Sequence, residues 1–104
     1  MDLERVGFHT GEDGWLYCDG SKIDDIRQQV NSSPFYLYSK SKLQRNYAAY
    51  AEALHDIPAI IGYAIKANNN LHILKELSQS GSGAVLVSGN ELQLAMAAGF
   101  DASR

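Results

Sequence analysis

The sequence has a single cysteine and a small net charge, which argue against a disulfide-stabilised protein and against a nucleic-acid-binding protein. Cys18 is the only cysteine among 104 residues, so no disulfide can form within the chain, and a reducing compartment is the simpler expectation. No apolar run approaches the ~20 residues that a membrane-spanning helix needs. A net charge of −3 gives no reason to expect nucleic-acid or membrane partners. Residues 1–5 are acidic and contain no apolar segment, so we expect neither a secretory signal nor a complete transit peptide there.

The composition is otherwise that of a globular protein, with 45% hydrophobic and 20% charged residues. Two short apolar runs, residues 6–10 and 15–18, flank the sequence Gly-Glu-Asp-Gly at 11–14, and this arrangement predicts a β-hairpin. A short amphipathic helix is predicted next, and it must end before Pro34 because proline disfavours helical backbone at the preceding residue.

Strands and helices alternate in the rest of the chain. Strands are predicted at residues 35–38, 59–65 and 84–87, so a new strand begins roughly every 25 residues and a helical pattern follows each one. This period is typical of α/β proteins with a parallel sheet or a TIM-type barrel. A whole (β/α)₈ barrel needs roughly 250 residues. We therefore interpret residues 21–104 as the first three βα units of an incomplete barrel, and residues 1–20 as a β segment of a second, β-rich domain.

Lys66 is the main candidate for chemistry. It follows the apolar run 59–65 and precedes three asparagines at 68–70. In a parallel barrel the carboxyl end of a strand faces the active site. Desolvation by an apolar wall favours the neutral, nucleophilic form of an amine that is held there. Such an amine can form a Schiff base with an aldehyde such as pyridoxal phosphate. Taken without further context, a solvated lysine at a strand end is the more frequent case.

Several motifs together resemble the fold-type III family of pyridoxal-phosphate-dependent decarboxylases, which act on diaminopimelate, ornithine and arginine. The resemblance rests on Tyr-Ala-Ile-Lys-Ala-Asn at 63–68, on Pro-Phe-Tyr-Leu-Tyr at 34–38 and on Ser-Gly-Asn-Glu-Leu at 88–92. It covers about residues 12–104 and is strongest towards the plant-type branch that acts on diaminopimelate. Val85 departs from the family, whose members commonly carry an aspartate there, and we interpret it as a trait of that branch.

The resemblance implies a function and a site. Lys66 is then the catalytic and cofactor-binding lysine, and Ala64, two residues earlier on the same strand face, lines the ring of pyridoxal 5'-phosphate. The implied reaction converts meso-2,6-diaminopimelate to L-lysine and CO₂, the last step of lysine biosynthesis. The implied assembly is a homodimer, in the plastid stroma for a plant or alga and otherwise in the cytoplasm. The other cofactor and substrate ligands of the family lie later in the chain, so the 104 residues alone are expected to be inactive.

The residues alone leave other interpretations of the function and of single residues open. An ornithine or arginine decarboxylase, an amino-acid racemase or a non-catalytic, partner-binding homologue would share the same fold. Ala64 is equally well explained by core packing. For the asparagines at 68–70, helix capping is a better explanation than positioning of a substrate. Ser88 and Glu91 have the spacing of a capping box, which explains Glu91 without a catalytic role. The three histidines lack the spacing of metal ligands, so no metal site is expected.

Overall fold

A computed structural model describes residues 2–104 of the chain, which fall into two compact units. The first unit ends at Lys42 and the second comprises Leu43–Arg104. Among the residues described, no helix is both long and apolar enough to cross a membrane.

The first unit contains a small antiparallel sheet and a short helix. The strands are β1 (Phe8–Thr10), β2 (Leu16–Cys18) and β3 (Ser21–Lys22), in the order β1-β2-β3, and α1 (Ile23–Gln29) follows directly. The predicted hairpin is thus confirmed, with Thr10 opposite Leu16 across the turn. Its first strand is shorter than predicted, because Leu3–Val6 forms a 3₁₀ helix.

Helix α2 (Lys40–Ala53) begins within the first unit and is fixed there by serine and aspartate side chains. The Ser39 hydroxyl accepts a hydrogen bond from the backbone N–H of Lys42 at 3.0 Å, as an N-capping side chain does. Asp19, directly after β2, accepts a hydrogen bond from the backbone N–H of Ser41 at 3.0 Å. Two of the helix N–H groups that lack intrahelical partners are satisfied in this way.

The second unit is built on two parallel strands and two helices. Strand β4 (Gly62–Ala64) pairs with β5 (Gly83–Val85), and α3 (Leu71–Ser80) and α4 (Gly89–Ala98) follow them in turn. The helices pack on one face of the strand pair around a core of four buried residues, with Tyr63 and Ala84 reaching this core from the strands. The four buried residues of this core are Ile65, Leu74, Ala95 and Ala98.

Caps define the ends of both helices of this unit, as the sequence predicts. Asn70 caps α3 by accepting a hydrogen bond from the N–H of His72, and Ser88 caps α4 through the N–H of Glu91. Gly81 and Gly99 end the two helices in the left-handed conformation, at φ of 101° and 90°. Only glycine adopts this conformation routinely, which is why the sequence signals its position well.

The prediction of three strands in the barrel-like part is wrong in one respect. No strand forms at residues 35–38, because a strand exists only as part of a hydrogen-bonded ladder and none of the residues described pairs with this segment. The predicted strand 59–65 is shortened to Gly62–Ala64, and 84–87 is replaced by Gly83–Val85. Two parallel βα units are therefore present where three were expected.

Candidate active site around Lys66

Lys66 lies in a 3₁₀ helix, Ile65–Ala67, that begins where β4 ends; we call this segment the lysine turn. The side chain of Ile65 is fully buried in the core of the second unit and anchors the turn, whereas Lys66 is exposed. The expected apolar wall around the amine is therefore not supplied by residues 2–104. The turn also contacts α4, so the lysine turn and that helix belong to the same part of the second unit.

The parallel pairing of β4 and β5 explains why this edge collects polar groups. Because both strands run in the same direction, their carboxyl ends open at one edge, with Ala64 opposite Val85. The lysine turn leaves β4 at this edge, and the segment leading to Ser88 leaves β5 there. This is the edge at which α/β folds place their ligands.

Ala64 and Val85 lie on the face of the strand pair that the helices do not cover. Tyr63 and Ala84 point into the helix-covered core, and neighbouring residues of a strand point to opposite faces. Gly62, Ala64 and Val85 therefore share the other side, which we call the open face. Val85 is 51% exposed there, and a methyl group on Gly62 would lie 3.0 Å from its Cγ2 atom.

Ala64 and Lys66 do not lie two residues apart on one strand, as the prediction required. The strand ends at Ala64, and a 3₁₀ helix with three residues per turn replaces the two-residue period of the strand. Ala64 lies at the site through its position on the open face, beside Val85. Its role as a lining residue stays a prediction.

Glu91 both caps α4 and keeps an unused carboxylate oxygen. Its backbone N–H donates to the Ser88 hydroxyl at 3.2 Å, which is one half of the predicted capping box, and its Oε2 accepts from the same hydroxyl at 3.2 Å. Its Oε1 atom is buried and has no hydrogen-bond partner among the residues described. A buried, unpaired carboxylate oxygen is costly, so the site is suited to a group that brings a donor.

The asparagines that follow the lysine organise the backbone. The Asn68 side chain accepts a hydrogen bond from the N–H of Asn70 at 3.0 Å, and Asn70 in turn caps α3. One contact was missed by sequence reasoning: the Tyr63 hydroxyl donates to the backbone carbonyl of Asn68 at 3.0 Å. No sequence pattern reveals which backbone carbonyl a phenol will reach.

The residues described contain no group of three or more histidine, cysteine, aspartate or glutamate side chains arranged to hold a metal ion. Cys18 is a buried free thiol at the end of β2, and burial raises its pKa above the ordinary value. The lysine, the asparagines and the α4 cap are therefore the polar groups on which a function can be argued.

Comparison with known proteins gives consistent matches for this chain. The family model described as "Pyridoxal-dependent decarboxylase, pyridoxal binding domain" matches residues 40–104. A probable chloroplastic diaminopimelate decarboxylase from Oryza sativa is 54% identical over 97 residues, which are 93% of this chain and 20% of the rice protein. A diaminopimelate decarboxylase from Vibrio cholerae is 39% identical over 97 residues, covering 93% of this chain and 23% of that protein.

Solved structures match over the same extent. AQ1208 from Aquifex aeolicus superposes with a TM-score of 0.84 at 37% identity, covering 94% of this chain and 24% of that one. A diaminopimelate decarboxylase of M. jannaschii in complex with L-lysine gives 0.81 at 31% identity, over 90% of this chain and 23% of that one. The chain thus spans about a fifth to a quarter of the length of these relatives. With more than half of its residues inside the family model and the motif lysine at the carboxyl edge of a parallel strand pair, it belongs to the pyridoxal-dependent decarboxylases, within their pyridoxal-binding domain.

Proposed function

We propose that the full-length protein is a pyridoxal-phosphate-dependent diaminopimelate decarboxylase that produces L-lysine and CO₂ from meso-diaminopimelate. The observation that carries the proposal is the position of Lys66, an exposed amine in the turn that ends β4, inside the matched pyridoxal-binding domain. The names of the relatives from rice and Vibrio cholerae support the choice of substrate.

The residues present fit the cofactor. Lys66 offers a reachable amine for a covalent link, and the small side chain of Ala64 leaves room on the open face for a flat ring. The buried Oε1 of Glu91 is an acceptor without a donor in the same unit. When bound, pyridoxal phosphate withdraws electrons from the carbon atom that loses CO₂. Lys66 and Ala64 are thus our proposed site residues, with Lys66 as the catalytic one.

We also propose that the second unit is the beginning of a (β/α)₈ barrel. Gly83 donates its N–H to the carbonyl of Ile61 on the β4 side, whereas Ala84 donates to the carbonyl of Arg104 at 3.2 Å. Because successive residues of a strand direct their N–H groups to opposite sides, Arg104 lies along the other edge of β5. Arg104 thus lies where the next strand of a barrel would pair with β5. The exposed Val85 suits a face that the later strands of a barrel would enclose.

The remaining organisation follows from the same proposal. Residues 21–104 would belong to the barrel, and residues 1–20, which contain β1 and β2, to a separate β domain completed elsewhere. A homodimer is the proposed assembly. We propose the plastid stroma as the compartment if the source is a plant or alga, and otherwise the cytoplasm.

The test uses the full-length protein supplied with pyridoxal phosphate. Release of CO₂ and formation of L-lysine from meso-diaminopimelate are measured beside reactions with ornithine and arginine. Borohydride then reduces the C=N bond between the Lys66 nitrogen and the cofactor to a stable amine, and peptide mapping locates the pyridoxyl group. Turnover of diaminopimelate with the label on Lys66 is the expected result. Preference for ornithine or arginine would overturn the substrate, and a label on another lysine such as Lys75 would overturn the site.

A further inference from the structure

The hydroxyl of Tyr63 closes the lysine turn by a hydrogen bond across it. The donor lies three residues before Lys66 and the acceptor, the carbonyl of Asn68, lies two residues after it, at an O···O distance of 3.0 Å. The bond therefore joins the end of β4 to the segment that leads into α3, with the lysine in the loop between them.

Both ends of this bond are held by other contacts. The ring of Tyr63 packs against the buried core that contains Ile65 and Leu74. On the other side, the Asn68 side chain accepts a hydrogen bond from the backbone N–H of Asn70. The Asn70 side chain in turn caps α3 by accepting from the backbone N–H of His72 at 3.0 Å. The hydroxyl thus links a packed strand residue to an anchored helix start.

The buried side chain of Ile65 anchors the lysine turn, but the turn itself is short and uncapped. It is a single three-residue 3₁₀ helix, and the residue at its N-terminus, Ala64, offers no side-chain cap. Short 3₁₀ segments have poor hydrogen-bond geometry and are weakly stable in isolation. A side-chain bond that spans the segment therefore restrains the backbone from which the lysine side chain projects.

We propose that Tyr63 is a positioning residue for Lys66, acting through its hydroxyl and the carbonyl of Asn68. The proposal rests on the proposed function, in which Lys66 carries the cofactor, and it assigns to Tyr63 no contact with reacting atoms. By restraining the turn, the hydroxyl keeps the amine in the orientation needed for attack on the aldehyde. Orientation of a reacting group is among the largest contributions that a protein makes to such steps.

The competing explanation is that Tyr63 only fills the core. Phenylalanine fills the same volume and lacks the hydroxyl, so Tyr63→Phe separates the two roles. Tyr47→Phe is the matched control, because Tyr47 is also a half-buried tyrosine of the second unit and lies on α2, outside the lysine turn.

The first measurement needs no cofactor. Amide hydrogen exchange of residues 65–68 is followed in the cofactor-free, full-length protein and in both variants. The loss of one hydrogen bond weakens a local structure by a factor of roughly three to ten. We therefore expect exchange in the turn to be faster by about that factor in Tyr63→Phe and unchanged in Tyr47→Phe.

The second measurement follows Lys66 itself. The rate at which pyridoxal phosphate becomes trapped on Lys66 by borohydride should fall by a similar factor, roughly three- to tenfold, in Tyr63→Phe alone. Faster exchange together with slower trapping supports the proposal. Unchanged exchange overturns it, and so does faster exchange with unchanged trapping, because the bond would then have a structural role only. If Lys66 is not labelled even in the unsubstituted protein, the proposed function fails, and the role of Tyr63 fails with it.

Discussion

The carboxylate of Asp19 accepts a hydrogen bond from the backbone N–H of Ser41 at 3.0 Å, joining the end of β2 to the first turn of α2 across 22 residues of sequence. The same carboxylate accepts from the hydroxyls of Ser39 and Ser41, at 2.6 and 2.7 Å. Asp19 also has a left-handed backbone, at φ of 50°, which asparagine tolerates as well as aspartate. The start of α2 is therefore held by a residue that is far away in sequence.

This contact predicts a pH-dependent contribution to stability. The hydrogen bonds from Ser39 and from Ser41 lower the pKa of Asp19 from 3.8 to about 2. A carboxyl whose pKa is lower in the folded state stabilises the fold above its unfolded pKa, and this stabilisation is lost as the pH falls from about 4 to about 2. Since Asp19 is exposed, solvent screening limits the effect to about 1 kcal/mol or less.

Asp19→Asn tests that contribution, because it removes the charge and keeps an acceptor oxygen. Urea unfolding of the full-length protein should show the variant to be less stable at pH 6, with the difference shrinking towards pH 2. Asp25→Asn, which removes an exposed carboxylate from α1, serves as the control and should show little of this trend. A difference between Asp19→Asn and the parent that is the same at both pH values would contradict the assignment.

Substitution of Lys66 should abolish both cofactor attachment and turnover. Lys66→Ala removes the amine, and Lys66→Arg replaces it with a guanidinium that stays protonated and cannot attack an aldehyde. We expect the visible absorbance of the bound cofactor to be lost, and kcat to fall by several orders of magnitude in both variants. Lys75→Ala, which removes an exposed lysine from α3, should leave both nearly unchanged. Retention of borohydride-trapped label in Lys66→Ala would disprove the role.

Two glycines of the second unit should respond to alanine with opposite signs. A methyl group on Gly83 would collide with the backbone oxygen of Arg104, so the strand edge must shift to accept it. At Gly89, in the first turn of α4, no atom outside its own helix and neighbours lies within 4 Å. Gly83→Ala should therefore lower the melting temperature of the full-length protein. Gly89→Ala should raise stability by about 0.5–1 kcal/mol, the usual difference between the two residues in a helix. Destabilisation by both would show that crowding is not the cause.

Truncation of a side chain at the centre of the second unit's core should lower stability far more than truncation of an exposed side chain on α4. Leu74 is completely buried in the core between α3 and α4, whereas Met96, on α4, is 68% exposed. Truncation of a buried leucine costs about 2–5 kcal/mol, while most exposed substitutions change stability by about 0.5 kcal/mol or less. Leu74→Ala should consequently be far more destabilising than Met96→Ala in urea unfolding. Equal effects would show that later parts of the protein cover Met96.

Sequence patterns predicted the local structure well where one residue type controls the backbone. An asparagine of 68–70 caps α3 and Ser88 caps α4, as predicted, because these effects involve only neighbouring residues. Hydropathy placed β4 within the predicted segment 59–65 but overestimated its length, and β5 begins one residue before the predicted segment 84–87 and ends at Val85. Apolar character continues through Ile65, and nothing local distinguishes a strand residue from one that turns into the core.

What the sequence determined by itself is the family, and it also supplied Lys66 as the proposed reactive residue. A specific motif around Lys66 carries both, and the match to the pyridoxal-binding domain confirms the family. What only the tertiary structure decided is the surroundings of that lysine. Three features depend on where separate segments meet: the absence of a ladder partner for 35–38 among the residues described, the contact between Asp19 and Ser41, and the bond from Tyr63 to Asn68. Hydrogen bonds of this kind are directional and short-ranged, so their partners are fixed by the fold and leave no periodic trace in the sequence.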